Sequence, residues 1–438
     1  MTLLKEELTI INLQELLRLN LALPLYQRPY RWSVQSANAL FLDNFESYQQ
    51  GLREYRVGSV ILHKENQTYN VVDGQQRLTT ISILLHSLGR FISGLLTQYY
   101  SEASYQAIIA NQQLFKKSVS ELSESEKQGY NYLLTYCTAV KVVTDDEQEA
   151  FQFFDSQNSR GKTLDPHDLL KSYHLREMQD EVDAAYTVKL IGRWENVPEV
   201  ELRTLFNTYL YPITQWVKGR DGLGYNVNKI GIFKGIKSEQ TYNYAIYHKA
   251  SHIFTEQFNN NGNHELIASK ALNQFQLIHP VVSGKRFFHY VMHYHKQLHD
   301  VRLLIRKYHS SSEDDIKTIL PDQRSGDTYI KQLYESILLF YADRFGMEAL
   351  TPAVLQVCYS WCYSFRLTME NVTLLGINRY ARGLHDRLNL ELDLFVRIGE
   401  MNEAHDIKLV ILEEPDIANQ YKKKYEAIYN QLKEWNRW

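Results

Sequence analysis

The sequence predicts an α+β protein, with a compact N-terminal domain of mixed strands and helices followed by a mostly α-helical C-terminal region. Three observations carry this. Two short apolar runs, residues 56–63 and 68–72, flank the polar stretch Lys64-Glu65-Asn66-Gln67, the pattern of a β-hairpin. Apolar residues recur at helical spacing on either side of it: Ala37, Leu40, Phe41, Phe45 and Tyr48 before, and Leu78, Ile81, Leu84, Leu85 and Leu88 after. From about residue 90 onward helical periodicity dominates.

Taken in order, residues 9–19 read as a short strand or a helix start. Residues 23–32 carry two prolines, which favour an extended path. Ser33 is placed to cap a helix over 34–50. The hairpin follows, then the next helix, and residues 120–126 read as a polar loop or cap. Val140–Val143 with Thr144-Asp145-Asp146 reads as a strand ending in a turn, and Phe151 to Phe154 as part of a helix. Asn158-Ser159-Arg160-Gly161-Lys162 reads as a loop. Asp165-Pro166-His167-Asp168 has the make-up of a helix start, with an acid at the cap and proline at the first position. The division drawn from this is 1–180 and 181–438, with the glycine-rich stretch 219–240 a loop or a further boundary. Residues 259–263 and 310–328 read as polar connections. Phe287, Phe288, Val291 and Met292 share one helix, and Val354, Val357, Trp361 and Phe365 another.

At 438 residues the chain has room for two or three domains and a sizeable core. Its 48 Lys and Arg against 51 Asp and Glu give a net charge of −3, so no chain-wide electrostatic grip on nucleic acid is expected. Cys137, Cys358 and Cys362 make no disulfide framework and read as small buried hydrophobes. With no apolar run of about 18 residues, the expectation is a cytoplasmic protein that does not enter membranes. His295 and His299 lie four residues apart near His293, but no Glu adjoins His295 as in a His-Glu-x-x-His helix. Solvated or interface histidines are expected there, and no metal site.

The densest local signal is Val71-Val72-Asp73-Gly74-Gln75-Gln76-Arg77-Leu78-Thr79-Thr80. A strand ends in an acid and a glycine, and a helix begins in two amides and an arginine. A helix N-terminus exposes unpaired N–H groups and partial positive charge, which suits phosphate. Gly74 permits close backbone approach, and Arg77 adds a planar charged fork. Capping of the helix by Asp73 is the plain structural alternative. Two other clusters share this chemistry: Tyr26-Gln27-Arg28, and Arg160 with Lys162 in a basic turn. No Gly-x4-Gly-Lys-Ser/Thr run is present.

The segments Leu23–Trp32, Val57-Gly58-Ser59-Val60, Val72–Thr80 and Phe154–Leu164 together resemble the GmrS-type domain. That domain is the N-terminal half of the GmrSD modification-dependent (type IV) restriction enzymes and occurs in other anti-phage proteins. Order and spacing agree over residues 9–176. The resemblance implies a ParB/sulfiredoxin-like core that binds and hydrolyses a nucleoside triphosphate. Asp73, Gln75, Gln76 and Arg77 become the catalytic candidates, and Gly74 and Arg77 hold phosphate. Tyr26, Gln27 and Arg28 form a second wall, with Arg160 and Lys162 as further contacts. Asp73 either orients water or holds Mg²⁺; Gln75 or Gln76 positions water. Full-length members carry a His-Asn-His nuclease domain, whose His-x-x-Pro core is not found here. The resemblance therefore implies a defence component acting on foreign or modified DNA, with its nuclease in trans. A non-hydrolysing, nucleotide-gated regulatory or DNA-binding module is the alternative, and self-association stays open.

Overall fold

The computed structural model describes residues 8–438 apart from 25–26, 28, 53, 91–92, 99, 130, 147–148, 151–164, 179–183, 262–271, 311 and 385–391. Among the described residues five strands form one mixed sheet: β1 (Leu8–Asn12), β2 (Leu21–Ala22), β3 (Tyr55–Glu65), β4 (Thr68–Asp73) and β5 (Cys137–Thr144). Their spatial order is β1-β5-β3-β4-β2. The expected hairpin is the antiparallel pair β3–β4, while β5 runs parallel to β3 on its other side and antiparallel to β1.

Four helices complete this part: α1 (Leu13–Arg18), α2 (Val34–Gln49), α3 (Gln75–Ser87) and α4 (Glu102–Ser120). The stretch read as strand or helix start is both, β1 running directly into α1. Asn12 caps α1, accepting from the Glu15 N–H at 2.8 Å. Ser33 caps α2, accepting from the Ser36 N–H at 3.2 Å. Side chains alternate across a strand, so the sheet buries two faces. Val60, Leu62 and Val71 join Phe41 of α2, Leu78, Ile81 and Leu85 of α3 and Phe115 of α4. Ile61 and Val72 face the other way, against Ala150 and Val142.

The chain divides into two compact units, one within Met1–Leu164 together with Glu181–Val197, the other comprising Asp165–Asp180 and Pro198–Trp438. The second unit is helical. Its long elements are Asn243–Asn261, Lys285–His309, Ser325–Phe345 and Pro352–Thr368. The last two bring Tyr334, Ile337, Leu338, Trp361 and Phe365 to full burial. The Pro166–Arg176 helix starts as expected, with Asp165 at the cap and proline in its first turn.

Three stretches read as connections are more ordered than that. Residues 259–261 close the Asn243–Asn261 helix, where the Asn259 amide engages both backbone groups of Leu272. Within 310–328 lies the Glu313–Ile319 helix, followed by the buried Leu320. In 219–240 the Asn378 side chain accepts from the Gly222 N–H and the Trp216 indole, both at 2.9 Å, and Ile236 bridges to Val282. The expected helix at 151–154 and loop at 158–162 lie outside the described residues. All three cysteines are buried; burial pushes the Cys137 thiol up to about 12 and those of Cys358 and Cys362 higher still. No helix of the described residues is long and apolar enough to cross a membrane.

Candidate functional site

Strand β4 ends at Asp73, and Gly74 turns the chain at φ 97°, ψ 0° into α3. This left-handed conformation favours glycine, and a Cβ there would also stand 3.1 Å from the Val60 side chain. The Gly74 carbonyl takes the first helical bond, from the Leu78 N–H at 2.9 Å. No side chain caps the helix. The N–H groups of Gln75, Gln76 and Arg77 therefore lack an intrahelical acceptor and point out of the helix start.

Arg77 reaches away from that start. Its Nη1 donates to the Val57 carbonyl and its Nη2 to the Ser59 carbonyl, both at 2.7 Å, and Nη2 lies 3.5 Å from the Asp73 carboxylate. Val57 lies within, and Ser59 at the end of, the stretch where the β3–β5 register shifts, between Arg56 and Ser59. A bulge frees ladder carbonyls, and the guanidinium takes them up. Gly58, at φ 109°, makes the space: a Cβ there would fall 1.9 Å from Arg77 Nη1. Within the sequence alone Gly58 has no assigned task. A lone glycine inside a strand pattern was the available signal.

The two glutamines part company. Gln76 is buried, its Oε1 accepting from the Arg31 N–H at 2.9 Å and its Nε2 donating to the Pro29 carbonyl at 3.1 Å. It pins the extended 23–32 segment to α3. Gln27 does the same for the strand, donating to the Val71 and Val72 carbonyls at 2.9 and 2.7 Å. Tyr30 completes the join, its hydroxyl meeting Thr80 at 2.7 Å and Asn111 at 2.9 Å. Gln75 differs: its side chain is 6 % exposed and its Oε1 has no hydrogen-bond partner among the described residues. A buried orphan acceptor is uncommon and calls for an explanation. The structure thus gathers Gln27, Asp73, Gly74, Gln75, Gln76 and Arg77 around one turn. Tyr26, Arg28, Arg160 and Lys162 lie outside the described residues.

Elsewhere, Asp165, His167 and Glu199 approach closely enough to share a cation, the one such group among the described residues. Arg203 already occupies the position, donating to both Asp165 oxygens at 3.1 and 2.7 Å and to Glu199 at 3.2 Å. A resident guanidinium neutralises the carboxylates a cation would need. Of the 293–299 histidines, His295 bonds Glu201 at 2.8 Å, while His293 is packed by Phe275 and burial lowers it to about 4.

The mixed sheet, the glycine turn and the uncapped helix lie within a GmrSD-like N-terminal domain. Residues 10–175 match the family described as GmrSD restriction endonuclease, N-terminal domain, which makes this a restriction- and defence-related protein. Residues 186–427 match a second family, and over this larger part the chain belongs to the family of unknown function DUF7834. No curated protein matches the chain.

Proposed function

We propose that the N-terminal domain is a ParB/sulfiredoxin-like module that binds a nucleoside triphosphate at the Asp73–Arg77 turn. The observation that carries this is the uncapped start of α3, where three N–H groups follow a glycine with no side chain to satisfy them. The roles divide as the geometry divides. The N–H groups of Gln75, Gln76 and Arg77 hold phosphate oxygens, and the orphan Gln75 Oε1 accepts from a donor on the nucleotide or its water. Gln76, Gln27 and Arg77 keep the walls in place. Tyr26, Arg28, Arg160 and Lys162 are proposed as outer contacts on the family resemblance alone. Mg²⁺ fits this set, since it is commonly held by one carboxylate plus substrate phosphates; Asp73 would hold it and the ion would neutralise phosphate charge.

In the leading reading the nucleotide is hydrolysed, and turnover drives a defence complex acting on foreign or modified DNA through a nuclease on another protein. One observation favours the second reading, a nucleotide-gated switch without turnover: both terminal nitrogens of Arg77 are engaged by strand carbonyls, so no free guanidinium faces the turn. Gln75→Glu tests the site. A carboxylate at a helix start suits the dipole but repels phosphate, so the expected outcome is nucleotide affinity at least tenfold weaker in a variant whose far-ultraviolet circular dichroism shows it folded; the buried position makes some loss of melting temperature part of the expectation. Equal affinity would remove the turn as the site. Phosphate release measured beside binding, with and without DNA, separates the readings: tight binding without release leaves the switch.

A further inference from the structure

The helical unit holds a cleft of about 430 Å³, built from three helices over a floor at the Leu205–Leu210 turn. His299, Arg302 and Arg306 recur at helical spacing on Lys285–His309, and Thr328, Lys331, Gln332 and Glu335 on Ser325–Phe345. Glu313–Ile319 contributes Ile316 and Lys317. That volume lies within the usual range for small-molecule sites, about 300–1,000 Å³.

Charge is concentrated here against the trend of the chain. Four cations, Arg302, Arg306, Lys317 and Lys331, face two carboxylates, Asp322 and Glu335, a balance of +2 with histidine neutral where the whole chain carries −3. The carboxylates are not free to meet a ligand's cation. Glu335 is 4 % exposed and accepts from Arg302 at 3.0 Å and from the Tyr209 hydroxyl at 2.5 Å. Asp322 lies 3.9 Å from Lys331. Arg306 has no hydrogen-bond or ion-pair partner among the described residues, and Lys317 meets only the exposed Asp314, at 4.0 Å.

The floor is also unusual. Tyr209 belongs to a π-helical turn, Leu205–Leu210, and such turns recur at functional sites. Arg302 donates to the Tyr209 hydroxyl at 2.9 Å and lies over its ring, so the buried Tyr209 and Glu335 hold this half-exposed guanidinium while Arg306 stays open. One wall is apolar, with Leu303, Ile316 and Leu320; Leu303 is 52 % exposed. A ligand suited to both walls has an anionic end and a carbon-rich body.

We propose that this cleft binds a small organic phosphate, with Arg306 and Lys331 taking the phosphate and Leu303, Ile316 and Leu320 covering the body. The test is calorimetric titration of the full chain with AMP, with inorganic phosphate and a short DNA duplex as separate arms. Wild type should bind AMP saturably and more tightly than inorganic phosphate. The double variant Arg306→Glu/Lys331→Glu should lose at least tenfold in AMP affinity while keeping its melting temperature, since both side chains reach solvent. Gln75→Glu should leave this binding unchanged. The proposal is overturned by absent AMP binding, by equal affinity in the double variant, or by loss in Gln75→Glu instead. Inorganic phosphate binding as tightly as AMP would overturn the organic body, and a duplex that displaces AMP would assign the cleft to a nucleic-acid backbone.

Discussion

At position 77 an arginine crosses from the first turn of α3 to the bulge of β3 and fills the space above Gly58. Gly58→Ala should therefore act like a loss of Arg77. It forces a side chain into a left-handed backbone and into the guanidinium, at a cost of about 1–3 kcal/mol, read as a lower urea midpoint. Arg77→Lys, with one nitrogen for two carbonyls, should lose part of this. If Gly58→Ala melts as wild type does, the staple is not holding the strand. A second residue reports through pH. Burial pushes the Asp343 carboxyl up to about 7, although the Tyr294 hydroxyl at 2.5 Å and the Leu277 N–H at 2.9 Å pull it down. In the unfolded chain it ionises near pH 4. Between those values the folded state holds a proton the unfolded state has released, so this group's stabilisation is full below about pH 4 and is lost as pH rises through 7. Asp343→Asn should flatten that slope in denaturant titrations at pH 4, 5.5 and 7; an unchanged slope would place the titration elsewhere.

Among the elements, the extended segment 23–32 depends most on others. It is held by Gln76 and Thr80 from α3 and by Ser104 and Asn111 from α4, the last donating to both the Tyr30 hydroxyl and the Trp32 carbonyl at 2.9 Å. Asn111→Ala leaves the part-buried Trp32 carbonyl without this donor and the Tyr30 hydroxyl with Thr80 alone, a loss of about 1–3 kcal/mol. Faster amide exchange around Tyr30 and Trp32, with β3 and β4 unaffected, is the expected signature; uniform loosening would argue against a local clamp. This element also marks how far sequence reached. The hairpin, α2, the Asp73–Gly74 turn and the start at Asp165 were legible because period, caps and turn residues are local signals. That Gln76 faces backwards onto Pro29, that β5 inserts between β1 and β3, and that Gly58 faces Arg77 were not legible, because each is a contact between distant residues. The π-turn at 205–210 leaves no mark in hydrophobic period, and the cleft it floors depends on three helices meeting.

For the molecule as a whole, the helical unit carries a proton-sensitive core. Burial holds His174 at about 3 and His252, His293 and His309 at about 4, all neutral in the fold. Unfolded histidine takes a proton near 6.5. Each therefore contributes stability that is full above about 6.5 and is lost as pH falls toward 4, opposite in sign to Asp343. His293→Phe, in a pocket already walled by Phe275 and Tyr294, should reduce the drop in melting temperature between pH 7 and pH 5. A drop as large as that of wild type would show that this ring does not share in the acid response.

The pairing of Asp73 with Arg77 at 3.5 Å has one more consequence. Because those opposite charges offset each other, Arg77 adds little long-range attraction, and what the described residues of the turn offer an anion is chiefly backbone dipoles, whose reach is short. The helical cleft presents whole unbalanced charges near its mouth. Dissolved electrolyte shortens the range of electrostatic attraction to about 10 Å at 0.1 M. Raising ionic strength should thus weaken binding in the cleft steeply; a slight response at the turn would mean that its N–H groups carry the binding, and a steep one that the outer cations Arg28, Arg160 and Lys162 share in it.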